Sequence, residues 1–203
     1  MFEIHPIPVT FPEKDIFLRL NGNLTRTELS TDEKILYLHT AKEAFELCHP
    51  TGRWDFFQVK TVSDTGITLA DGFFIPGRDF AAKCGKISHL WCGAVTVGED
   101  VADAEKESSS VFIRAIYDAV ASETADGAMD YLTRIARKNL LRMGLNMDER
   151  RYSPGYGDMP LALQEFFFSR LNLDGMKMSL NDDFYMFPEK SVTAFAGIRS
   201  IGE

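Results

Sequence analysis

The chain has 203 residues, of which 45% are hydrophobic and 26% are charged, and its formal net charge is −8. This composition is ordinary for a globular protein with a sizeable core. The acidic balance, with no block of lysine or arginine residues, argues against binding to nucleic acid or to an anionic membrane surface. We therefore predict a protein with no nucleic-acid partner and no membrane partner.

The cysteine and histidine patterns argue against a disulfide framework and a metal site. The number of cysteines is odd, and no two of them form a C-x-x-C pair; they are Cys48, Cys84 and Cys92. The four histidines lie far apart in the sequence. The N-terminus lacks the basic start and apolar core of a signal peptide, and no apolar run approaches the roughly 20 residues that span a bilayer. We predict a cytoplasmic protein with reduced thiols.

The first half of the chain changes from a helical to a β-like pattern. Ser30 followed by Glu33 has the spacing of a capping box, which predicts the start of a helix that ends before Pro50. Short apolar runs separated by turn residues then occupy residues 53–98. We predict strands at 56–59, 66–69, 72–76 and 89–97, and a short helix at 78–84.

The second half begins with a long helical region at about 101–143, which we expect to consist of two or three pieces. Apolar residues at helical spacing predict two buried stripes. They are Val111, Phe112, Ala115, Ile116, Ala119 and Val120, and then Leu132, Ile135, Ala136, Leu140 and Leu141. Gly127 marks either a kink or a close backbone approach. A helix at 160–171 and strands near 176–180 and 190–199 follow.

No linker, repeat or low-complexity segment divides the sequence, so we predict a single domain over residues 1–203. Helical and β-like segments alternate irregularly along it. This order favours an α+β fold in which helices flank a mixed sheet.

The loop at 151–157 reads Arg-Tyr-Ser-Pro-Gly-Tyr-Gly and has the features of a ligand-binding loop. Its proline and glycines prevent a long helix and let the backbone approach a ligand closely. Arg151 offers a planar fork of donors suited to a carboxylate, and the two tyrosines offer flat faces for stacking. A small zwitterionic ligand with an aromatic ring would fit. The alternatives are a structural turn, and a surface ion pair of Arg151 with Asp148 or Glu149.

Two further motifs follow this loop in a fixed order, Pro-Leu-x-x-Gln at 160–164 and Met-x-Pro-x-Lys-Ser-Val at 186–192. The ordered set resembles the activation domain of vitamin B12-dependent methionine synthase, over roughly residues 109–199. Residues 101–203 carry the motifs, whereas residues 1–100 are divergent. The resemblance implies a twisted, mainly antiparallel sheet flanked by helices. It also implies a domain that binds S-adenosylmethionine (SAM) and presents its methyl group to inactive cob(II)alamin.

The resemblance also assigns a SAM site. The implied SAM-binding residues are Arg151, Pro154, Gly155, Tyr156, Gly157 and Asp126. Arg151 would hold the methionyl carboxylate as a bidentate pair. Gly155, Tyr156 and Gly157 would line the ligand with backbone groups, and Pro154 would stiffen the turn.

Asp126 and Lys190 are implied less directly. Asp126 stands where the family commonly has glutamate, which shortens its reach by one methylene. Glu123, Asp126 and Asp130 share one helical face, so a solvated acidic surface is the alternative. Lys190 would either dock a partner protein or solvate the end of a strand.

The chain lacks the Asp-x-His-x-x-Gly motif by which methionine-synthase-type modules ligate cobalamin. Cobalamin would therefore be held by a partner, either a corrinoid-binding protein or a truncated methionine synthase. A flavodoxin-like or ferredoxin-like donor would supply the electron, and the chain would act as a component of the methyltransferase. The alternatives are a reactivator of another corrinoid methyltransferase and a non-catalytic SAM-binding scaffold or sensor.

Overall fold

The computed structural model of the protein describes residues 1–21 and 30–201. The helices are α1 (Glu13–Asn21), α2 (Thr31–Glu46), α3 (Arg78–Cys84), α4 (Asp100–Glu107), α5 (Val111–Arg142) and α6 (Gln164–Leu171). The strands are β1 (Phe2–Ile4), β2 (Thr51–Ser63), β3 (Gly66–Leu69), β4 (Phe74–Pro76), β5 (His89–Thr96), β6 (Leu145–Met147), β7 (Ser179–Leu180), β8 (Met186–Phe187) and β9 (Ser191–Ser200). Short 3-10 turns at Leu161–Leu163 and Leu173–Met176 flank α6.

Seven of the described strands form one sheet in the order β4-β3-β2-β5-β9-β6, with β1 added to the edge of β2. Each of its pairings is antiparallel. β7 and β8 form a separate two-stranded hairpin. The predicted α+β fold, a mainly antiparallel sheet flanked by helices, is confirmed.

Alternation along the central strands gives the sheet two buried faces, because successive side chains of a strand point to opposite sides. On β5, Leu90, Cys92 and Ala94 join the cluster that α3 and α6 cover. Trp91 joins the opposite cluster, which α5 covers. The Trp91 ring crosses Gly93, where an added Cβ would lie 2.2 Å from a ring carbon. Gly93 is therefore required by a close approach on the α5 side.

A third cluster joins α1, α2 and α4 to the N-terminal half of α5. The predicted capping box is present at the start of α2. The Glu33 backbone N–H donates to the Ser30 hydroxyl at 3.3 Å, and the Ser30 N–H donates to the Glu33 carboxylate at 2.8 Å.

The helical region predicted at about 101–143 consists of two pieces, α4 and α5, as expected. Residues 111–142 form one helix, which runs unbroken through Gly127. A Cβ on Gly127 would lie 3.1 Å from Val9 Cγ1, so this glycine marks a close approach and not a kink. The predicted stripes are wrong at four exposed positions, Val111, Phe112, Ala115 and Leu141. The first three lie in the first two turns and the last in the final turn, so the predicted stripes fail at the ends of the helix.

Two strand predictions are corrected in extent. β2 is longer than predicted because it pairs with β5 and then continues along β3 past an irregularity between Val59 and Thr61. The strand expected near 176–180 is reduced to Ser179–Leu180, because a 3-10 turn takes up the residues up to Met176. Across the described ranges, no helix combines the length and the apolar character that a membrane crossing needs.

Candidate functional site

A cleft of about 640 Å³ opens between α3, the loop at 150–161 and the start of β9. Asp126 of α5, Gln164 of α6 and Met186 of β8 complete its lining. Its volume falls within the roughly 300–1,000 Å³ typical of small-molecule sites.

Five of the predicted site residues meet in this cleft. Arg151, Pro154, Tyr156, Gly157 and Asp126 all line it, although Asp126 comes from a different element. The fold therefore brings the acidic residue on the helix and the glycine-containing loop to one place.

Gly155 shapes the loop without lining the cleft. Its φ of +85° is a conformation that favours glycine, and an added Cβ would lie 3.1 Å from Leu161 Cδ1. Its N–H donates to the Met159 carbonyl at 2.9 Å, which closes the turn. At the start of the loop, Tyr152 and Phe195 exchange two backbone hydrogen bonds at 2.9 and 2.8 Å. The loop is thus fixed to β9 at one end and closed on itself at the other.

Asp158 fastens the loop to α3. The N-cap of α3 is Gly77, which has no side chain to accept from the first N–H groups. The Asp158 carboxylate takes this role by accepting from the backbone N–H of Arg78 and, at 3.2 Å, of Asp79. Two walls of the cleft are therefore joined by a helix cap supplied from a distant part of the chain.

Arg151 is held at one end of its guanidinium. Its Nη1 lies 2.7 Å from the Asp130 Oδ1 and donates to the Thr133 hydroxyl at 3.1 Å. The alternative pair with Asp148 or Glu149 does not form, and Asp148 instead pairs with Arg199. The Nε and Nη2 atoms of Arg151 have no hydrogen-bond partner among the described residues, so this edge can bind a carboxylate.

Asp126 lies near both positive and negative charge. Its Oδ2 is 3.4 Å from Arg19 Nη2, and Arg19 also pairs with Glu123 at 2.5 Å. Partial burial and the neighbouring Glu123 carboxylate raise the pKa of Asp126, whereas Arg19 and Arg151 oppose this shift. The acidic face of α5 is therefore paired with two arginines, while the Asp126 and Asp130 side chains stay 57% and 73% exposed.

A buried polar pair on the cleft wall was not predicted as part of the site. The Thr193 hydroxyl donates to the Gln164 Oε1 at 2.8 Å, and both residues are buried and line the cleft. The Pro-Leu-x-x-Gln motif contains Gln164, which is the signal that could have identified it. The contribution of α3, through Asp79, Phe80 and Lys83, has no comparable signal in the sequence.

Lys190 stands outside the cleft lining and is engaged within the chain. Its Nζ bonds to the Asp118 carboxylate and, at 3.2 Å, to the Ser122 hydroxyl. These contacts tie the segment before β9 to α5. Its predicted role in partner docking stays a prediction.

No protein-family model and no curated protein matches this chain. Among solved structures, the chain is similar to a crystal structure of the MetH reactivation domain bound to AdoHcy, with a TM-score of 0.65. The match covers 97% of this chain and 77% of that chain, at 17% sequence identity. At this identity the likeness shows a shared fold and leaves function to be argued from the site.

Proposed function

We propose that this chain binds SAM in the cleft and serves as a reactivation domain for cobalamin-dependent methionine synthase. The observation that carries the proposal is the meeting of Arg151, Asp126, Tyr156 and Gly157 in one cleft. The fold is similar to that of a reactivation domain bound to AdoHcy, which is SAM without its transferable methyl group.

The charges of the cleft suit the charges of SAM, which has a carboxylate, an ammonium and a sulfonium. The Nε–Nη2 edge of Arg151 would bind the carboxylate in a bidentate manner. Ionised Asp126 would attract the cationic groups. Tyr156, whose side chain is largely exposed, offers a ring for the adenine. A Cβ at Gly157 would meet nothing within 4 Å, so the backbone there is open to a ligand.

The residues of this chain would bind and orient SAM, and the chemistry would depend on a partner. If a partner protein held cob(II)alamin and a flavodoxin-like or ferredoxin-like donor supplied one electron, transfer of the SAM methyl group to the cobalt would give methylcobalamin and AdoHcy. The contribution of the cleft is then to hold the sulfonium methyl toward the open side of the site, which is catalysis by positioning.

Calorimetric titration with SAM tests the binding step. We expect Arg151→Ala to weaken binding by about 2–4 kcal/mol, as for the loss of one partner of a charge-assisted pair. Arg150→Ala is the matched control, because Arg150 lines the same cleft but lies over the Tyr152 ring at 5.4 Å. A loss below about 0.5 kcal/mol for Arg151→Ala would show that Arg151 is not the carboxylate anchor.

An anaerobic methylation assay tests the role. The protein is mixed with SAM, a reductant and a cob(II)alamin-loaded module, and methylcobalamin is followed by its visible spectrum. Faster methylation with a methionine synthase module supports the proposal. Methylation only with a module from another corrinoid methyltransferase would assign the protein to that system. SAM binding without methylation on any module would favour the scaffold or sensor.

A further inference from the structure

Two side chains of α5 hold the same end of the Arg151 guanidinium. Asp130 and Thr133 both contact its Nη1 atom, at 2.7 and 3.1 Å. They lie three residues apart on the helix, so they project from the same side of it. Neither lines the cleft, whereas Arg151 does. Asp130 and Thr133 therefore bind the guanidinium on the side that faces away from the cleft.

The hydroxyl of Thr133 can only accept from Arg151. Thr133 is 4% exposed, and its hydroxyl hydrogen is donated to the Met129 carbonyl at 2.6 Å. With its one donor used, the oxygen offers lone pairs to Nη1. The two N–H bonds of Nη1 are thus directed to Asp130 and Thr133, and because both lie in the plane of the guanidinium, they also set the directions of Nε and Nη2.

We propose that Thr133 and Asp130 are positioning residues that present the Nε–Nη2 edge of Arg151 to the carboxylate of the ligand. The inference rests on the proposed function. Long arginine side chains lose rotamer freedom when they bind, and an arginine that is already held loses less. The pair therefore increases the preference for SAM over the same molecule without its carboxylate.

The test is the ratio of two dissociation constants measured by calorimetry, for SAM and for decarboxylated SAM. A general loss of structure weakens both ligands, whereas a loss of positioning changes their ratio. Thr133→Val removes the hydroxyl at nearly constant volume. Thr124→Val is the matched control, because Thr124 lies on the same helix, is buried and makes the same type of bond, to the Val120 carbonyl at 2.7 Å. Asp130→Ala is a second variant, which removes the acceptor at a side chain that is 73% exposed.

We expect Thr133→Val and Asp130→Ala each to lower the preference for SAM by about three- to ten-fold, as for one hydrogen bond. Thr124→Val should leave the preference for SAM unchanged, and Thr133→Ser, which keeps the hydroxyl, should show the wild-type preference. If both variants keep the wild-type ratio while Arg151→Ala abolishes it, the inference is overturned and the proposed function stands. If the wild-type protein does not prefer SAM, the carboxylate anchor fails, and the inference fails with it. If Thr133→Val does not fold, the ratio for Asp130→Ala decides.

Discussion

Removal of the Asp158 carboxylate should loosen the attachment of the loop to α3. In the folded protein this carboxylate accepts from the backbone N–H groups of Arg78 and Asp79, and the N-cap residue Gly77 offers no substitute. Asp158→Ala therefore leaves the first turn of α3 without its side-chain cap. The negative charge also interacts favourably with the positive end of the helix dipole.

The expected loss in the free energy of unfolding follows from the removal of one helix cap. Substitution of a capping side chain by alanine lowers the free energy of unfolding by about 0.5–2 kcal/mol, and two accepted bonds place Asp158→Ala at about 1–2 kcal/mol. For a domain of this size that corresponds to a fall of roughly 2–8 °C in Tm. Asp158→Asn keeps an acceptor oxygen and loses the charge, so we expect about half of this effect.

Urea denaturation followed by circular dichroism measures the change, because a shift in midpoint at constant slope reports stability. Asp183→Ala serves as the control, because the exposed Asp183 side chain accepts no hydrogen bond from any described residue. Equal losses for Asp158→Ala and Asp183→Ala, or a loss below about 0.3 kcal/mol for Asp158→Ala, would refute the capping role.

Three further changes test the loop and the cleft. Gly155→Ala should lower the free energy of unfolding by about 1–3 kcal/mol in urea denaturation. This loss should exceed the loss caused by Gly157→Ala. Both glycines have a positive φ, but only a Cβ at Gly155 would crowd a neighbouring side chain. Gln164→Leu should be destabilising by about 1–3 kcal/mol because it leaves the buried Thr193 hydroxyl unpaired, and the added Thr193→Val should recover part of the loss in a double-mutant cycle. Partial burial raises the pKa of Asp126, so ionisation of this group lowers stability. At low pH, where Asp126 is protonated in both the folded and unfolded states, the Tm of Asp126→Asn should equal that of the wild type. As pH increases through the raised pKa, the Tm of Asp126→Asn should rise above that of the wild type.

Local signals in the sequence predicted local structure well. The capping box at Ser30 and the short helix at 78–84 depend on residues close together in the chain, and both are present. The exposure of Val111 was not predictable, because periodicity shows which side of a helix is apolar but not how far its neighbours extend. The same reasoning applies to the length of β2, which depends on where its partners begin and end.

The candidate site was partly predictable for a similar reason. The motif order drew attention to Arg151 and Asp126, and both line the cleft. Composition alone favoured Asp148 or Glu149 as the partner of Arg151, because these residues are near in sequence. The partner is Asp130, more than twenty residues away, and this pairing depends on how the loop packs against α5. The lining contributed by α3 likewise depends on the attachment of Asp158, which only the folded chain reveals.

The place of β9 in the sheet has a consequence for how the protein is made. β9 follows all the other described strands in the sequence, yet it lies between β5 and β6. β6 therefore has no strand partner until β9 has been synthesised. The cleft also lacks the wall that Ser191 to Ala194 provide until that moment. A ribosome carrying the chain as far as α6 would thus hold a nascent protein with an open strand edge and an incomplete cleft, and the cleft would be completed only when β9 inserts between β5 and β6.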